Sequence, residues 1–194
     1  MQGKQAWLAV AVAVLAVAAG NEFSAPGTAS ATQATAKAAR REAARQREAR
    51  QLLRQIGARQ QETWRWQRVM GARPTPRSDS GAHSVGLGYP RWVLHLWTMR
   101  ARHARRRAQH PPHLRAWLCI HRYEGGWRDP SPPYYGGLQM DLGFQRTYAA
   151  PLLRRKGTAD HWTPLEQMWV AERAYESGRG FYPWPSTARY CGLI

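Results

Sequence analysis

Residues Leu114 to Met140 have the sequence LRAWLCIHRYEGGWRDPSPPYYGGLQM, and the rest of the chain is interpreted from this segment. Its first half has apolar side chains at spacings of three to four, which is typical of an amphipathic helix. The helix is predicted to end at Gly125 and Gly126, because glycine commonly terminates helices. Glu124 is therefore expected in the last helical turn, directly before a loop rich in glycine, proline and aromatic residues.

The position of Glu124 suggests acid chemistry on a sugar polymer. Cleavage of a glycosidic bond needs a carboxylic acid that protonates the leaving oxygen, and most hydrolases add a second carboxylate. A helix C-terminus and nearby aromatic rings both favour the protonated form of a carboxyl group. An ordinary helix-terminal glutamate is the alternative. The nearest further carboxylates are Asp129, expected in a solvated loop, and Asp141, expected as a helix N-cap.

Four motifs follow one another over residues 116–194. They are W-x-C-I-H-x-Y-E-G-x-W, Y-Y-G-G-L-Q-M, T-P-L-E-Q-M-W-V-A-E and a W-P pair that is followed by a cysteine. Their order and spacing are similar to those of the resuscitation-promoting-factor and transglycosylase-like group of the lysozyme superfamily. The resemblance implies a mainly α, small lysozyme-like domain with at most a minor β-hairpin region. It also implies a cleft that binds the glycan strands of peptidoglycan.

The resemblance assigns the family's catalytic glutamate to Glu124 and its G-G-L-Q motif to residues 136–139. The chain also departs from the family pattern. Typical members have a cysteine directly before the catalytic glutamate and a serine after it, whereas here Cys119 lies five residues earlier and Gly125 follows.

The residues that follow Glu124 are predicted to bind the sugar. Aromatic rings can stack on sugar faces, glycines let a ligand approach the backbone closely, and the Gln139 amide can hydrogen-bond to Glu124 or to an acetamido group. Core positions for the rings and a simple turn for the glycines are the alternatives. No cofactor or metal is predicted, because the seven histidines match no recognised zinc spacing. The predicted substrate-binding residues are Trp127, Tyr134, Tyr135, Gly136, Gly137, Gln139 and Trp184.

The predicted activity is that of a peptidoglycan lytic transglycosylase or muramidase. The resemblance implies that the cleaved bond is the β-1,4 bond between N-acetylmuramic acid and N-acetylglucosamine. In the lytic mechanism Glu124 acts first as acid and then as base, and a group of the substrate attacks the anomeric carbon to give an anhydro end. Hydrolysis would leave a reducing end, and the sequence leaves this choice open. A non-catalytic peptidoglycan-binding module with a basic wall-anchoring arm is the alternative function.

The N-terminus indicates export. Lys4 precedes an apolar run that ends at Ala19, which is shorter than the roughly 20 apolar residues of a spanning helix. We predict a signal peptide over residues 1–20 and a secreted, cell-wall-associated protein, with an uncleaved signal-anchor as the alternative. In an oxidising compartment Cys119 and Cys191 are expected to form one disulfide, and two buried free thiols are the alternative.

Charge and composition divide the remaining chain. Most of the net charge of +17 lies before residue 116. Residues 21–70 are a basic Ala/Arg/Gln-rich segment, predicted as a solvated helix, residues 71–88 are a predicted linker, and residues 89–194 are the predicted catalytic domain. The basic segment is expected to meet anionic wall polymers or a membrane surface. Nucleic acid is not expected, because the N-terminus is signal-like and no nucleic-acid-binding motif is recognised.

Two helix starts are predicted near the C-terminus. Thr163 and Glu166 enclose a proline and form the pattern of a capping box, and Asp141 is the predicted N-cap of a short helix. Residues 151–157, which begin with a proline and end with a glycine, are predicted as a connector.

Overall fold

The computed structural model describes residues 27–77 and 86–194. The predicted signal peptide, residues 1–20, and the central part of the predicted linker, residues 78–85, lie outside the described residues. The chain divides into two compact units, Met1–Ala43 and Ala44–Ile194. In the first unit, residues 27–43 belong to a helix, and the side chains of residues 31–43 are exposed.

The described part of the chain is mainly helical and includes a small β-hairpin, as the sequence predicted. Strands β1 (Tyr134–Tyr135) and β2 (Met140–Asp141) pair antiparallel, with Tyr134 opposite Asp141. A 3-10 helix spans Ala159–His161 and a π-helical turn spans Tyr175–Arg179. None of the helices within residues 27–77 and 86–194 is both long enough and apolar enough to cross a membrane. The α-helices are α1 Gly27–Met70, α2 Gly88–Gln109, α3 Leu114–Glu124, α4 Leu142–Lys156, α5 Pro164–Ala174 and α6 Pro185–Tyr190.

Helix α3 is anchored in the main hydrophobic core by its apolar face. Trp117 and Ile120 are fully buried, and the Trp117 ring lies edge-on to Phe181 and Trp184, with centroid distances of 5.0 and 5.2 Å. Burial of large apolar and aromatic side chains is the dominant stabilising term in such a core. This packing fixes the axis of α3 and therefore the position of Glu124 at its end.

A buried carboxylate connects the start of α3 to α5. Glu172 is fully buried, and its Oε1 accepts hydrogen bonds from the His113 backbone N–H at 2.7 Å and from Trp117 Nε1 at 2.8 Å. Its Oε2 lies 2.9 Å from His113 Nδ1. Burial of a carboxylate is energetically costly unless it has such partners. The partners of Glu172 hold the start of α3 against α5, so its role is structural.

The C-terminal part of α1 packs against α2. Ile56, Val93 and Trp97 form a buried cluster, and Trp64 lies edge-on to Trp97 at a centroid distance of 6.0 Å. The predicted catalytic domain begins at residue 89, whereas the compact unit begins at Ala44. Residues 44–70 are helical and about half of their side chains are exposed, but Leu52, Ile56 and Met70 are buried, so this part of the helix is not solvated on every side.

The predicted disulfide between Cys119 and Cys191 is confirmed. It joins α3 to the residue that follows α6. Helix α4 differs from its prediction, because it continues to Lys156 through a break at Ala149 (φ −144°, ψ 24°). Pro151 lies in the first turn of the second helical piece, where its missing N–H costs no helical hydrogen bond. Residues 151–156 are therefore helical, although the sequence suggested a connector.

Candidate active site

Glu124 ends α3 and is held by a hydroxyl group from α6. The Thr187 side chain donates a hydrogen bond to Glu124 Oε1 at 2.7 Å, and Thr187 Oγ1 also lies 3.4 Å from the Trp184 carbonyl oxygen. Thr187 is buried, whereas Glu124 is partly exposed. Glu124 Oε2 forms no hydrogen bond within the part of the chain that the structure describes. One carboxylate oxygen thus has a protein partner and the other has none among the described residues.

The sequence did not indicate Thr187 as a site residue. A signal was present, because the predicted disulfide brings Cys191 close to α3. Thr187 lies one helical turn before that cysteine, and the Cys191 N–H donates to its carbonyl oxygen at 2.9 Å. Following the disulfide back by one turn would have placed this hydroxyl near Glu124.

Gln139 lies against Gly125, the residue after Glu124, and hydrogen-bonds to the Asp129 carboxylate. Its Nε2 donates to Asp129 Oδ2 at 3.0 Å and to the Gly136 carbonyl oxygen at 2.9 Å. A Cβ atom on Gly125 would lie 3.0 Å from Gln139 Nε2 and 3.2 Å from Asp129 Oδ2. The Gln139 backbone has φ 45°, an unfavourable conformation for a residue with a side chain. Strain of this kind is common at functional sites.

Asp129 is more constrained than a solvated loop residue. The Ser131 backbone N–H donates to its Oδ1 at 3.0 Å, and Gln139 occupies its Oδ2. Hydrogen bonding to Ser131, with a smaller contribution from Gln139, holds the pKa of Asp129 below its usual value. Asp129 is therefore ionised at neutral pH, with a protein donor on each oxygen.

Gly136 and Gly137 are buried, and protein side chains contact them closely. A Cβ atom on Gly136 would lie 2.6 Å from Gln167 Oε1, and one on Gly137 would lie 2.6 Å from His121 Nδ1 and 2.7 Å from the Trp127 ring. The Gly137 N–H also donates to Gln167 Oε1 at 2.8 Å. These contacts favour a structural turn over the predicted approach of a ligand to the glycine backbone.

The predicted aromatic residues have different surroundings. Trp127 stacks on His121 at a centroid distance of 3.8 Å and is partly buried, as is Tyr135. Tyr134 is 50% exposed, so its ring is open to a ligand. Trp184 is only 4% exposed, and its Nε1 donates to the Leu138 carbonyl oxygen at 2.6 Å. The Trp184 ring therefore belongs to the core and cannot offer its face to a sugar as predicted.

A cleft of about 330 Å³ is lined by residues of the hairpin, of α4 and of the segment 179–184, and Glu124 is not among its lining residues. Gln139 and Trp184 both line it. Gln139 contacts Gly125, the residue after Glu124, and the Trp184 carbonyl oxygen lies near Thr187 Oγ1. Two residues of the cleft therefore touch direct neighbours of Glu124. Asp141 also lines the cleft and is the N-cap of α4, as predicted, since its Oδ1 accepts from the Phe144 N–H at 2.7 Å. The other polar lining residues are Tyr134, Thr147 and Arg179.

Residues 27–77 and 86–194 contain no group of three or more His, Cys, Asp or Glu side chains placed to hold a metal ion. Comparisons of the chain with protein-family models, with curated proteins and with solved structures find no match.

Proposed function

We propose that this chain is a secreted, cell-wall-associated enzyme that cleaves the glycan strand of peptidoglycan. Its target is the β-1,4 bond between N-acetylmuramic acid and N-acetylglucosamine, and Glu124 is the general acid and base. The observation that supports this most directly is the arrangement of the Glu124 carboxyl group. Thr187 holds Oε1, while Oε2 makes no hydrogen bond to the described residues. Gln139 and Trp184, which line a nearby cleft, contact the neighbours of Glu124.

The proposed reaction has two proton transfers. Protonated Glu124 gives its proton from Oε2 to the glycosidic oxygen, and the bond between that oxygen and the anomeric carbon breaks. The Glu124 carboxylate then takes the proton of the muramic acid C6 hydroxyl as that oxygen attacks the anomeric carbon. The products are an N-acetylglucosamine end with a free 4-hydroxyl group and a 1,6-anhydromuramic acid end. Thr187 keeps the carboxyl group in one orientation for both steps.

The hydrogen bonds of Asp129 favour this route over hydrolysis. Most hydrolases use a second carboxylate to bind a water molecule or to attack the sugar. Asp129 is the carboxylate closest to Glu124 in sequence, but Ser131 and Gln139 each donate to one of its oxygens. We therefore assign Asp129 to the support of Gln139 and the hairpin.

Digestion of purified peptidoglycan tests the proposal. The native chain, Glu124→Gln and Asp129→Asn are each incubated with sacculi, and the soluble fragments are identified by mass spectrometry. We expect anhydro-ended muropeptides from the native chain, no release by Glu124→Gln, and a less than tenfold loss of rate for Asp129→Asn. Fragments with reducing ends would instead show that the enzyme is a hydrolase. If the native chain binds sacculi but releases no muropeptides, the proposed enzymatic activity is wrong and the non-catalytic wall-binding module is the remaining function.

The basic helices support an additional contact with the cell envelope. Arg102, Arg105, Arg106 and Arg107 of α2 are exposed, and a positive surface attracts anionic wall polymers or an anionic membrane. Binding of the native chain to intact walls should weaken steeply between 50 mM and 500 mM salt. If the bound fraction does not change with salt, this electrostatic contact is excluded.

A further inference from the structure

We infer that the cleft lined by Gln139, Asp141 and Arg179 is a subsite for a carboxylate-bearing substituent of the glycan strand, with Arg179 as the cation that pairs with it. The inference rests on the proposed function, because it specifies which part of the substrate this cleft recognises. Chitin-like strands have no such carboxylate. The subsite would therefore distinguish peptidoglycan from other N-acetylglucosamine polymers.

Arg179 is placed at the cleft by an unusual turn. It ends the π-helical turn Tyr175–Arg179, and its neighbours Gly178 (φ 93°) and Gly180 (φ 54°) both have left-handed backbones. Such conformations are accessible to glycine at little cost, and short π-helical turns are frequent at functional sites. The turn between α5 and α6 thereby directs an arginine into a cleft that also contains Gln139.

The guanidinium group of Arg179 is available to a ligand. The side chain is exposed and makes no ion pair with a carboxylate among the described residues. It lies near the Tyr148 hydroxyl group, which is also 3.2 Å from Ser177 Oγ. Hydrogen bonding with Ser177, and then the interaction with Arg179, lower the pKa of Tyr148. The guanidinium group of an arginine has the planar donor set that binds carboxylates in a bidentate manner.

The other polar groups of the cleft narrow the class of ligand. Asp141 lines the same cleft, and its negative charge disfavours a doubly charged phosphate more strongly than a single carboxylate. It would accept a hydrogen bond from an amide N–H or a hydroxyl group. The exposed Tyr134 ring adds an apolar surface at the hairpin. A ligand that carries amide N–H groups together with one carboxylate matches this pattern better than a polyphosphate.

Two parts of peptidoglycan have this chemistry. The lactyl carboxylate is free on strands without peptides, and the stem peptide carries its own carboxylates next to amide N–H groups. Both would pair with Arg179 through the same guanidinium group. A comparison of ligands with and without the stem peptide tells the two sources apart.

Ligand titrations on the full chain test the subsite. All variants carry Glu124→Gln, so that affinity is measured without turnover. Calorimetry compares three tetrasaccharides: a muramic-acid-containing one without peptide, the same one with stem peptides, and chitotetraose. We expect Arg179→Gln to weaken binding of at least one carboxylate-bearing ligand about tenfold, as for loss of a charge-assisted pair. Chitotetraose binding should be unchanged, and Arg179→Lys should restore part of the affinity.

Arg154→Gln is the matched control, because Arg154 is an exposed arginine of α4 outside the cleft. Melting temperatures show whether each variant is folded. The subsite is contradicted if Arg179→Gln and its Glu124→Gln parent bind both carboxylate-bearing ligands with equal affinity. It is also contradicted if Arg179→Gln weakens chitotetraose binding by the same factor, or if neither carboxylate-bearing ligand binds the parent. Peptidoglycan digestion by the native chain decides the proposed function separately. The titrations can therefore contradict the subsite even if the digestion supports the proposed enzymatic activity.

Discussion

Thr187 and Glu124 are 63 positions apart in the chain, and the Thr187 hydroxyl donates to Glu124 Oε1 over 2.7 Å. The contact joins the last turn of α3 to α6. Because the hydroxyl engages Oε1 and not Oε2, the contact favours one orientation of the carboxyl group. The oxygen left for the substrate is Oε2, so Thr187 defines which oxygen carries the catalytic proton in the proposed reaction.

Replacement of Thr187 by valine should slow turnover with little effect on substrate affinity. Valine has nearly the same shape but cannot donate, so the Glu124 carboxyl group samples several orientations. Loss of one such hydrogen bond is worth about 1–1.5 kcal/mol, which corresponds to roughly a tenfold lower kcat. Initial rates of muropeptide release over a range of substrate concentrations separate kcat from KM.

Thr187→Ser is the control for this prediction, since serine keeps the donor and loses only a methyl group. Its kcat should stay within about threefold of the native value. If valine and serine variants have the same kcat, the hydroxyl has no role in orienting Glu124. Thermal melts of both variants show whether a lower rate comes from a loss of folded protein.

The sequence was informative where function depends on local pattern. The position of Glu124 at a helix end follows from the apolar spacing of α3 and the glycines after it. The capping box at Thr163 is present with both of its hydrogen bonds. These features depend on residues within a few positions of one another, so the sequence carries them directly.

Contacts between distant segments were harder to predict. Tryptophan is a residue type that often stacks on sugars, which is why Trp184 was predicted to do so. Its ring is buried by contacts with Trp117 and Phe144, which lie far away in sequence. The packing of α1 on α2 was missed for the same reason, because Ile56 and its few apolar neighbours make no sustained pattern without knowledge of α2. Gln139 was expected to hydrogen-bond to Glu124 or to a sugar acetamido group. The turn between the hairpin strands instead directs its amide toward the Asp129 carboxylate.

Removal of the disulfide should strongly destabilise the compact unit. Cys119 and Cys191 close a loop with a sequence separation of 72 residues, and the chain-entropy relation gives about 4 kcal/mol for a loop of this size. The double variant Cys119→Ala/Cys191→Ala should therefore unfold at a much lower urea concentration than the native chain. Equilibrium unfolding followed by tryptophan fluorescence measures the difference.

The native chain unfolded in the presence of a reductant is the control for the disulfide. It should match the double variant, because both lack the same covalent link. An unfolding free energy of the double variant within about 1 kcal/mol of that of the oxidised native chain would mean a loss well below the one expected from loop closure. It would show that non-covalent contacts between α3 and α6 alone hold the C-terminus.

Replacement of Glu172 by alanine should destabilise the fold without a direct effect on chemistry. The change leaves the Trp117 indole N–H and the His113 backbone N–H without their acceptor. Two unsatisfied donors, one of them fully buried, cost about 3 kcal/mol together. Glu172→Gln should lose less, because its amide oxygen still accepts one hydrogen bond. Equal unfolding free energies for the alanine variant and the native chain would contradict the role of Glu172 as a buried acceptor.

The ion pair of Glu166 should make stability depend on pH in the acid range. Lys156 Nζ lies 2.7 Å from both Glu166 oxygens, and the Thr163 N–H donates to Oε2 at 2.8 Å. Burial by itself would raise the pKa of Glu166, but hydrogen bonds from Lys156 and Thr163 outweigh it and hold the pKa below the ordinary value of 4.5. The ionised form is therefore favoured by folding. Its contribution is fully present above pH 4.5 and is lost as the pH falls through the lower folded pKa.

Glu166→Gln isolates this contribution, because glutamine keeps the shape and can still accept from Thr163. At pH 7 the variant should be less stable by about 1 kcal/mol, a modest value because Lys156 is partly exposed. The two unfolding curves should converge as the pH is lowered below 4.5, since the native carboxylate becomes protonated. Urea unfolding at pH 7, 5, 4 and 3 measures the difference. A gap that stays constant over this range would mean that the charge of Glu166 does not stabilise the helix start.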